Sequence, residues 1–305
     1  MGIKGLTKAI KRFAPGAIKT VSYQDLASMS KNKVYGVDVF SYLYPTQYNV
    51  LKKSKGNHIR EFMEMISTWA SVGIRLVFVF DGNTNSEAKR ETVDERADRR
   101  LKGQAHIQQL IHDMNSDQES SAEDEKILVI NQDLHSAGHD ILASSKGTTE
   151  QRIELELALR SHIIVSGDKV NDLITLFQLV GATYMRAEGE ADFLLSMLYN
   201  EGYIDGVISE DCDMLTHGVE RLIRGFTDSS LRRVGHVSMY SLNDILDGAQ
   251  ISMNQFIDFC ILCGCDYCPK IKGVAAITAL NLLKKHSNIT NILSCIEDGT
   301  IKNQP

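Results

Sequence analysis

The sequence predicts an α/β fold, a mostly parallel twisted sheet flanked by helices. Three observations lead there. Apolar runs of strand length alternate with stretches of helical periodicity. Three of the runs end in acids: Lys33–Val39 (KVYGVDV) carries Asp38, Arg75–Phe80 (RLVFVF) leads into Asp81, and Val207-Ile208 leads to Asp211 and Asp213. The chain, at 305 residues and 43% hydrophobic content, is long enough for one large core or for one domain with an insertion. Open α/β sheets bind ligands at the carboxyl ends of their strands, so acids gathered there mark a candidate site.

Taken in order, Ile3, Leu6, Ile10 and Phe13 fall on one helical face, closed by Pro15-Gly16. The strand bearing Asp38 runs into a helix with Tyr42 and Tyr44 in its first turns. A second helix, about Ile59–Val72, places Phe62, Met63, Ile66 and Trp69 on one side, with Trp69 as core. Arg75–Phe80 is the clearest strand, closed by Asp81-Gly82. The stretch 86–162 reads as an insertion crossing over the site. It opens with a mixed-charge run, Ser86–Lys102, containing Lys89, Arg90, Arg96, Arg99 and Arg100, whose ordinary meaning is a solvated helix laced with ion pairs. Asp113–Lys126 has the composition of a flexible segment, and Ile153, Leu155, Leu157 and Leu159 suggest an ordered return.

A helix over Asp168–Val180 leads to a strand at Thr183–Arg186 and then to Glu188–Asp213 (EGEADFLLSMLYNEGYIDGVISEDCD), the stretch around which the chain is organised. It holds two acid pairs, Glu188/Glu190 and Asp211/Asp213. Between them a helix is expected, with Leu194, Leu195, Leu198 and Tyr199 on one face. Arg221–Gly225 and Val234–Val237 read as paired strands with Arg232 and Arg233 between them. Helices at Gln255–Leu262 and Gly273–His286, joined by a short glycine-containing link, suit a phosphate-gripping module, because backbone N–H groups at a helix start attract phosphate. The organisation expected is a single domain over 1–305, built of 1–85, the insertion 86–162, a second core part 163–252 and the helical module 253–295.

Acids crowded together repel and resist ionisation unless a cation neutralises them. Hard divalent ions such as Mg²⁺ take oxygen ligands and keep several waters, which suits carboxylates. A single D-x-D or E-x-E is usually a helix cap or surface feature; two pairs plus Asp38 and Asp81 favour a metal centre. The net charge of −6 argues weakly against a polyanionic partner, yet the N-terminal stretch is basic (Lys4, Lys8, Lys11, Arg12, Lys19, Lys31, Lys33) and so is Lys52–Arg60. No apolar run has membrane-spanning length and no signal peptide is visible, so an intracellular protein is expected. Cys260, Cys263, Cys265 and Cys268 crowd too closely for a disulfide framework or a zinc ribbon. His135 and His139 lack the glutamate of a metalloprotease motif.

The segments MGIKGL, VDVFSYLY, VFVFDG, EGEAD, SEDCD and CGCDYC, in that order, resemble the XPG/flap-endonuclease family of structure-specific 5′ nucleases. The resemblance covers nearly the whole chain, weakening between Arg100 and Asp168. It implies a PIN-like core, a helical arch over the site and a C-terminal helix-two-turn-helix that grips duplex DNA. It places metal ligands at Asp38, Asp81, Glu188, Glu190, Asp211, Asp213 and Asp266, for two Mg²⁺ ions with Mn²⁺ as a substitute. Asp81, Glu188 and Asp211 would serve catalysis directly, and Lys89 and Arg96 would neutralise charge on the scissile phosphate. DNA contacts would come from Gly2, Tyr44 (stacking on a base), Lys89, Arg90, Arg96, Arg99, Arg100, Lys270, Lys272 and Gly273. The chain departs from the family at Gly273-Val274-Ala275-Ala276-Ile277, where a second glycine and a lysine are expected, and this bears on the K⁺ held by that module.

The activity implied is Mg²⁺-dependent hydrolysis of DNA phosphodiesters at 5′ flaps or single-strand/double-strand junctions, in replication, repair or recombination. A processive 5′→3′ exonuclease, a non-catalytic nucleic-acid scaffold and an RNA-directed nuclease stand as alternatives. The expected partner is junction DNA, with no membrane and no recognisable sliding-clamp binding box. A monomer is expected, nuclear if the source is eukaryotic.

Overall fold

A computed structural model describes residues 3, 5–50, 57–82, 90–115, 148–161, 165–268, 271 and 274–299. Within it the chain divides into two compact units, residues 1–42, 65–89 and 181–305 in the first and 43–64 and 90–180 in the second. No helix among the described residues is long and apolar enough to cross a membrane.

The first unit holds a seven-stranded sheet. In chain order its strands are β1 (Ile18–Ser22), β2 (Val34–Asp38), β3 (Arg75–Phe80), β4 (Thr183–Arg186), β5 (Gly206–Ile208), β6 (Arg221–Arg224) and β7 (His236–Ser241). Their spatial order is β1-β7-β6-β5-β2-β3-β4. The five strands from β6 to β4 are parallel, and β7 and β1 add antiparallel at one side. From β2 the chain moves through β3 to β4, then returns to place β5 on the other side of β2. The strand order therefore reverses between β2 and β5, which is where open sheets of this kind form a crevice.

Why these strands are central follows from their side chains. Tyr35, Val37, Phe78, Val79, Val207 and Ile208 are all buried, as strands covered on both faces require. Helix α1 (Leu6–Phe13) turns Leu6, Ala9 and Ile10 into the core, as its periodicity predicts. Helix α2 (Tyr23–Met29) starts at a capping box in which Ser22 and Asp25 satisfy each other's backbone N–H. Replacing such a cap with alanine costs about 1 kcal/mol. Trp69 is fully buried and packs on Tyr23 and Tyr35, with ring centroids 5.0 and 5.8 Å apart.

The strand Thr183–Arg186 and the strand Arg75–Phe80 form as the sequence predicts. Between β6 and β7 the outcome differs. The last strand is His236–Ser241, not Val234–Val237, and Arg232 and Arg233 end a short helix, α9 (Ser229–Arg233). Asp228 starts that helix by accepting the Ser230 N–H at 2.8 Å, and the two strands pair antiparallel across it as expected. The remaining helices of this unit are α8 (Ala191–Asn200), α10 (Leu242–Ala249), α11 (Met253–Cys263), α12 (Ala276–His286) and α13 (Ile289–Glu297). The last helix pair begins at Met253 and Ala276; Gly273 lies outside the described residues.

The second unit is helical, and α3 (Val39–Val50) and α4 (Asn57–Ser71) contribute residues to both units. The charged run forms a long helix, α5 (Arg90–Asn115), which takes in Asp113, Met114 and Asn115 from the segment expected to be flexible; residues 116–126 lie outside the described residues, as do His135 and His139. Ile107, Leu110, Ile111 and Met114 of α5 form a small core with Leu155 and Leu159 of α6 (Thr149–Ser161). The return is thus a helix, with Leu155 and Leu159 buried and Ile153 and Leu157 exposed. Helix α7 (Gly167–Val180) buries Leu173 and Phe177, and Phe62 meets Phe177 edge-on at 6.0 Å.

Candidate metal centre

Asp38 ends β2 and is almost fully buried. Ser209, just past β5, donates its hydroxyl to Asp38 Oδ2 at 2.9 Å, and the Ser41 N–H reaches Oδ1 at 3.2 Å. The same Ser209 oxygen accepts the Asp211 N–H at 3.0 Å. Asp211 Oδ1 in turn accepts the Asp213 N–H at 3.1 Å. Strand β5 stops at Ile208, so Asp211 lies in the following loop and Asp213 opens a 3₁₀ turn, Asp213–His217. Asp213 Oδ1 also accepts the Ile3 N–H at 3.2 Å, which ties the start of the chain to the cluster.

On the other side of β2, Asp81 follows β3 and its Oδ1 accepts the Ala191 N–H at 2.8 Å. Ala191 is the first residue of α8, so Asp81 caps that helix from the neighbouring strand. Glu190 is the residue before it and makes no side-chain cap of its own. The helix N-terminus, with its partial positive charge, is thereby aimed at the acids. Helix α8 comes close because β2 has Gly36, where a Cβ would overlap the side chain of Leu195. Gly82 plays the matching part for the acidic loop: a Cβ there would overlap the backbone oxygens of Ala187 and Glu188, and its N–H donates to Gly189 at 2.6 Å.

Asp266 lies in the turn after α11, among residues bridged through Cys265 and Cys268. Next to it, Tyr267 donates its hydroxyl to Glu190 Oε2 at 2.9 Å, joining this turn to the Glu188/Glu190 loop. All seven acids implied by the resemblance are thus on one compact unit, at the carboxyl ends of adjacent strands and on the loops beside them.

Burial and mutual repulsion dominate the electrostatics of the cluster. Burial and the charge of Asp81 push Asp38 up to about 6, against its hydrogen bonds from Ser209 and Ser41. Burial and Asp211 push Asp213 up to about 7, with Asp266 adding to the effect. Sequence reasoning missed Asp192. It sits in the first turn of α8, and burial followed by the charges of Asp38, Asp211, Asp213 and Asp81 holds its carboxyl well above the usual range. The signal was present in the spacing Glu188-x-Glu190-x-Asp192, where a third acid follows the pair.

Beside the acids stands a half-buried cation that sequence reasoning also passed over. Arg224 of β6 donates to Thr7 Oγ1 at 3.1 Å and to Cys212 Sγ at 2.7 Å, and its Nε lies 3.8 Å from Glu210 Oε2.

The donor set fits hydrated divalent ions. It is all oxygen, strongly acidic and in need of positive charge. Among the described residues no three side chains converge into a ready-made cage. Mg²⁺ is held that way, through one or two carboxylates with water completing the shell.

Of the remaining residues named from sequence, Tyr44 is partly buried on α3 in the other unit. Arg90, Arg96, Arg99 and Arg100 lie on α5. Gly2, Lys89, Lys270, Lys272 and Gly273 lie outside the described residues.

Residues 1–103 match the model of the XPG N-terminal domain and residues 181–266 that of the XPG I-region. Flap endonuclease 1 of Cryptosporidium muris is 29% identical over 312 residues, covering 96% of this chain and 57% of that protein. Flap endonuclease 1-A of Sorghum bicolor is 28% identical, over 96% of this chain and 69% of its own. The catalytic core of Rad2 in complex with a DNA substrate superposes with a TM-score of 0.63 at 18% identity, covering 99% of this chain and 74% of that one. The chain therefore spans somewhat over half to about two thirds of the curated relatives it matches.

Proposed function

Because this chain belongs to the XPG/flap-endonuclease family of structure-specific nucleases, we propose that it is a divalent-metal-dependent phosphodiesterase acting on DNA at 5′ flaps or single-strand/double-strand junctions. The observation that carries the reading is the mutual repulsion of Asp38, Asp81, Asp192, Asp211 and Asp213 beside the reversal of strand order, with Asp38, Asp192 and Asp213 raised toward neutrality by it and by burial. The relatives support it by their names, flap endonuclease 1, and the solved Rad2 core by the DNA it holds.

In this proposal Asp38, Asp81, Glu188, Glu190, Asp211, Asp213 and Asp266 hold two Mg²⁺ ions, with Mn²⁺ as a substitute. Bound there, the ions would supply Lewis-acid polarisation of a phosphodiester and of an attacking water. The chain's own residues do the rest. Ser209 and Ser41 fix the Asp38 carboxylate, the α8 N–H fixes Asp81, and Tyr267 fixes Glu190. Fixed carboxylates need no reorganisation when charge develops. Lys89 and Arg96 would neutralise the scissile phosphate, Tyr44 would stack on an unpaired base, and the helices from Met253 to His286 would hold duplex backbone. A K⁺ ion at the last module, action as a monomer and a nuclear location belong to the same proposal.

The test is cleavage of an end-labelled 5′-flap duplex in Mg²⁺ and in EDTA, alongside Asp81→Asn and Asp213→Asn. One metal-dependent cut near the junction, lost in both variants while junction binding persists, is the expected result. A ladder of short 5′ products would replace the flap reading with a 5′→3′ exonuclease. Binding without cleavage in any divalent metal would overturn the enzyme reading.

A further inference from the structure

We propose that Cys265 and Cys268 form a reversible disulfide that closes the turn carrying Asp266 and Tyr267, and so make the metal centre sensitive to peroxide.

The geometry points to the pair. Their sulfurs are 3.4 Å apart, and a disulfide needs about 2.05 Å, so closure asks for a movement of about 1.4 Å. The two residues face each other as an antiparallel bridge, with the Cys265 N–H donating to the Cys268 carbonyl at 3.1 Å. Residues paired this way have Cα atoms about 4.5–5.5 Å apart, inside the range that a disulfide spans. Both are partly exposed, whereas Cys212, Cys260 and Cys263 are buried. The pair brackets Asp266 and Tyr267, and Tyr267 is bonded to Glu190.

The step balances with a peroxide as oxidant. The sulfur of one thiol attacks the O–O bond, becomes a sulfenic acid and releases water from hydrogen peroxide. The second sulfur then displaces the sulfenic hydroxyl, which leaves as a second water with the remaining thiol proton. Two thiols are oxidised by two electrons and the peroxide is reduced by two.

The consequence falls on Glu190 and Asp266. Tyr267 reaches Glu190 from between the two cysteines, and Asp266 is its neighbour in the same turn. Drawing the ends of the turn together shifts both. This coupling rests on the metal-centre reading above; the disulfide itself does not.

The reduced full-length protein would be treated with hydrogen peroxide, residual thiols alkylated, and the peptides analysed by mass spectrometry. The expected result is a bond between Cys265 and Cys268, reversed by dithiothreitol and absent from Cys268→Ser. Both cysteines alkylated to the same extent before and after peroxide would overturn the proposal. Calorimetric titration with Mn²⁺ reads the second arm. Oxidised wild type should bind about tenfold more weakly than reduced wild type, the scale on which loss of an outer partner weakens a metal site. Peroxide should leave Cys268→Ser unchanged. Equal affinities in a protein shown to carry the disulfide would overturn the coupling. A disulfide in a protein that binds no Mn²⁺ even when reduced would overturn the metal reading and leave the modification site standing.

Discussion

Ser209 donates its hydroxyl to Asp38 Oδ2 at 2.9 Å while accepting the Asp211 N–H on the same oxygen. One hydroxyl thus links the acid at the end of β2 to the acid beyond β5, across the point where the strand order reverses. Its presence lowers the cost of charging Asp38, and burial with Asp81 raises it more.

That balance sets a pH dependence of stability. Unfolded, Asp38 and Asp213 titrate near 3.9. Folded and metal-free, they keep their protons to about 6 and about 7. Between these values the folded chain binds protons that the unfolded chain has released. The contribution is therefore full below about pH 4 and is lost as pH rises through about 6 to 7, on the order of 3 kcal/mol for a shift of two units. Urea unfolding in EDTA at pH 5 and 7.5 should show wild type losing stability relative to Asp38→Asn across that interval. A divalent cation should remove the loss. Parallel profiles for the two proteins would refute the assignment.

Asp192→Asn should separate binding from folding. Removing one repelling carboxyl raises the melting temperature of the metal-free protein. The same change weakens Mn²⁺ binding by about tenfold if Asp192 belongs to the metal's inner or outer shell. Calorimetry and thermal melts on the one variant read both effects, and unchanged metal affinity would return Asp192 to a bystander.

Gly82→Ala should be costly for its size. The added methyl meets backbone oxygens, which cannot swing aside as a side chain would. A loss of about 1–3 kcal/mol is expected from such overpacking. The Glu188 loop is displaced with it, so turnover on a flap substrate should fall beyond what reduced stability explains.

Tyr267→Phe removes only the hydroxyl that holds Glu190. Tyr267 is 45% exposed, so the stability should change by no more than ordinary surface substitutions do, about 0.5 kcal/mol. Metal affinity should fall while junction binding in EDTA holds. An unaltered Mn²⁺ isotherm would show that Glu190 does not need the tether.

Much of this site was legible because the physics that makes strands also places their ends. KVYGVDV and RLVFVF are apolar enough to be central, and each hands its aspartate to the same side of the sheet. Other parts were not legible because their determinants are distant in sequence. Strand β1 has five residues, IKTVS, with no alternation of polar and apolar, and becomes a strand by pairing with β7. Asp192 reads alone as an acid in a helix's first turn. Only the approach of α8 to β2 over Gly36 turns it toward Asp38. Ser209 had no signal beyond its place before two acids, since its role depends on β2 lying beside β5.

The strand order also governs how the chain must be made. Val37 pairs with Ile208, and Ile18 pairs with Tyr240. A ribosome delivers the first strand long before the last one that covers it, so the nascent sheet waits with open edges. Pairings of such long separation form slowly, and unpaired edges invite association with other chains. The protein should depend on chaperones during synthesis more than its size suggests. Fragments that end before His236 should aggregate, since they leave β1 with no neighbour.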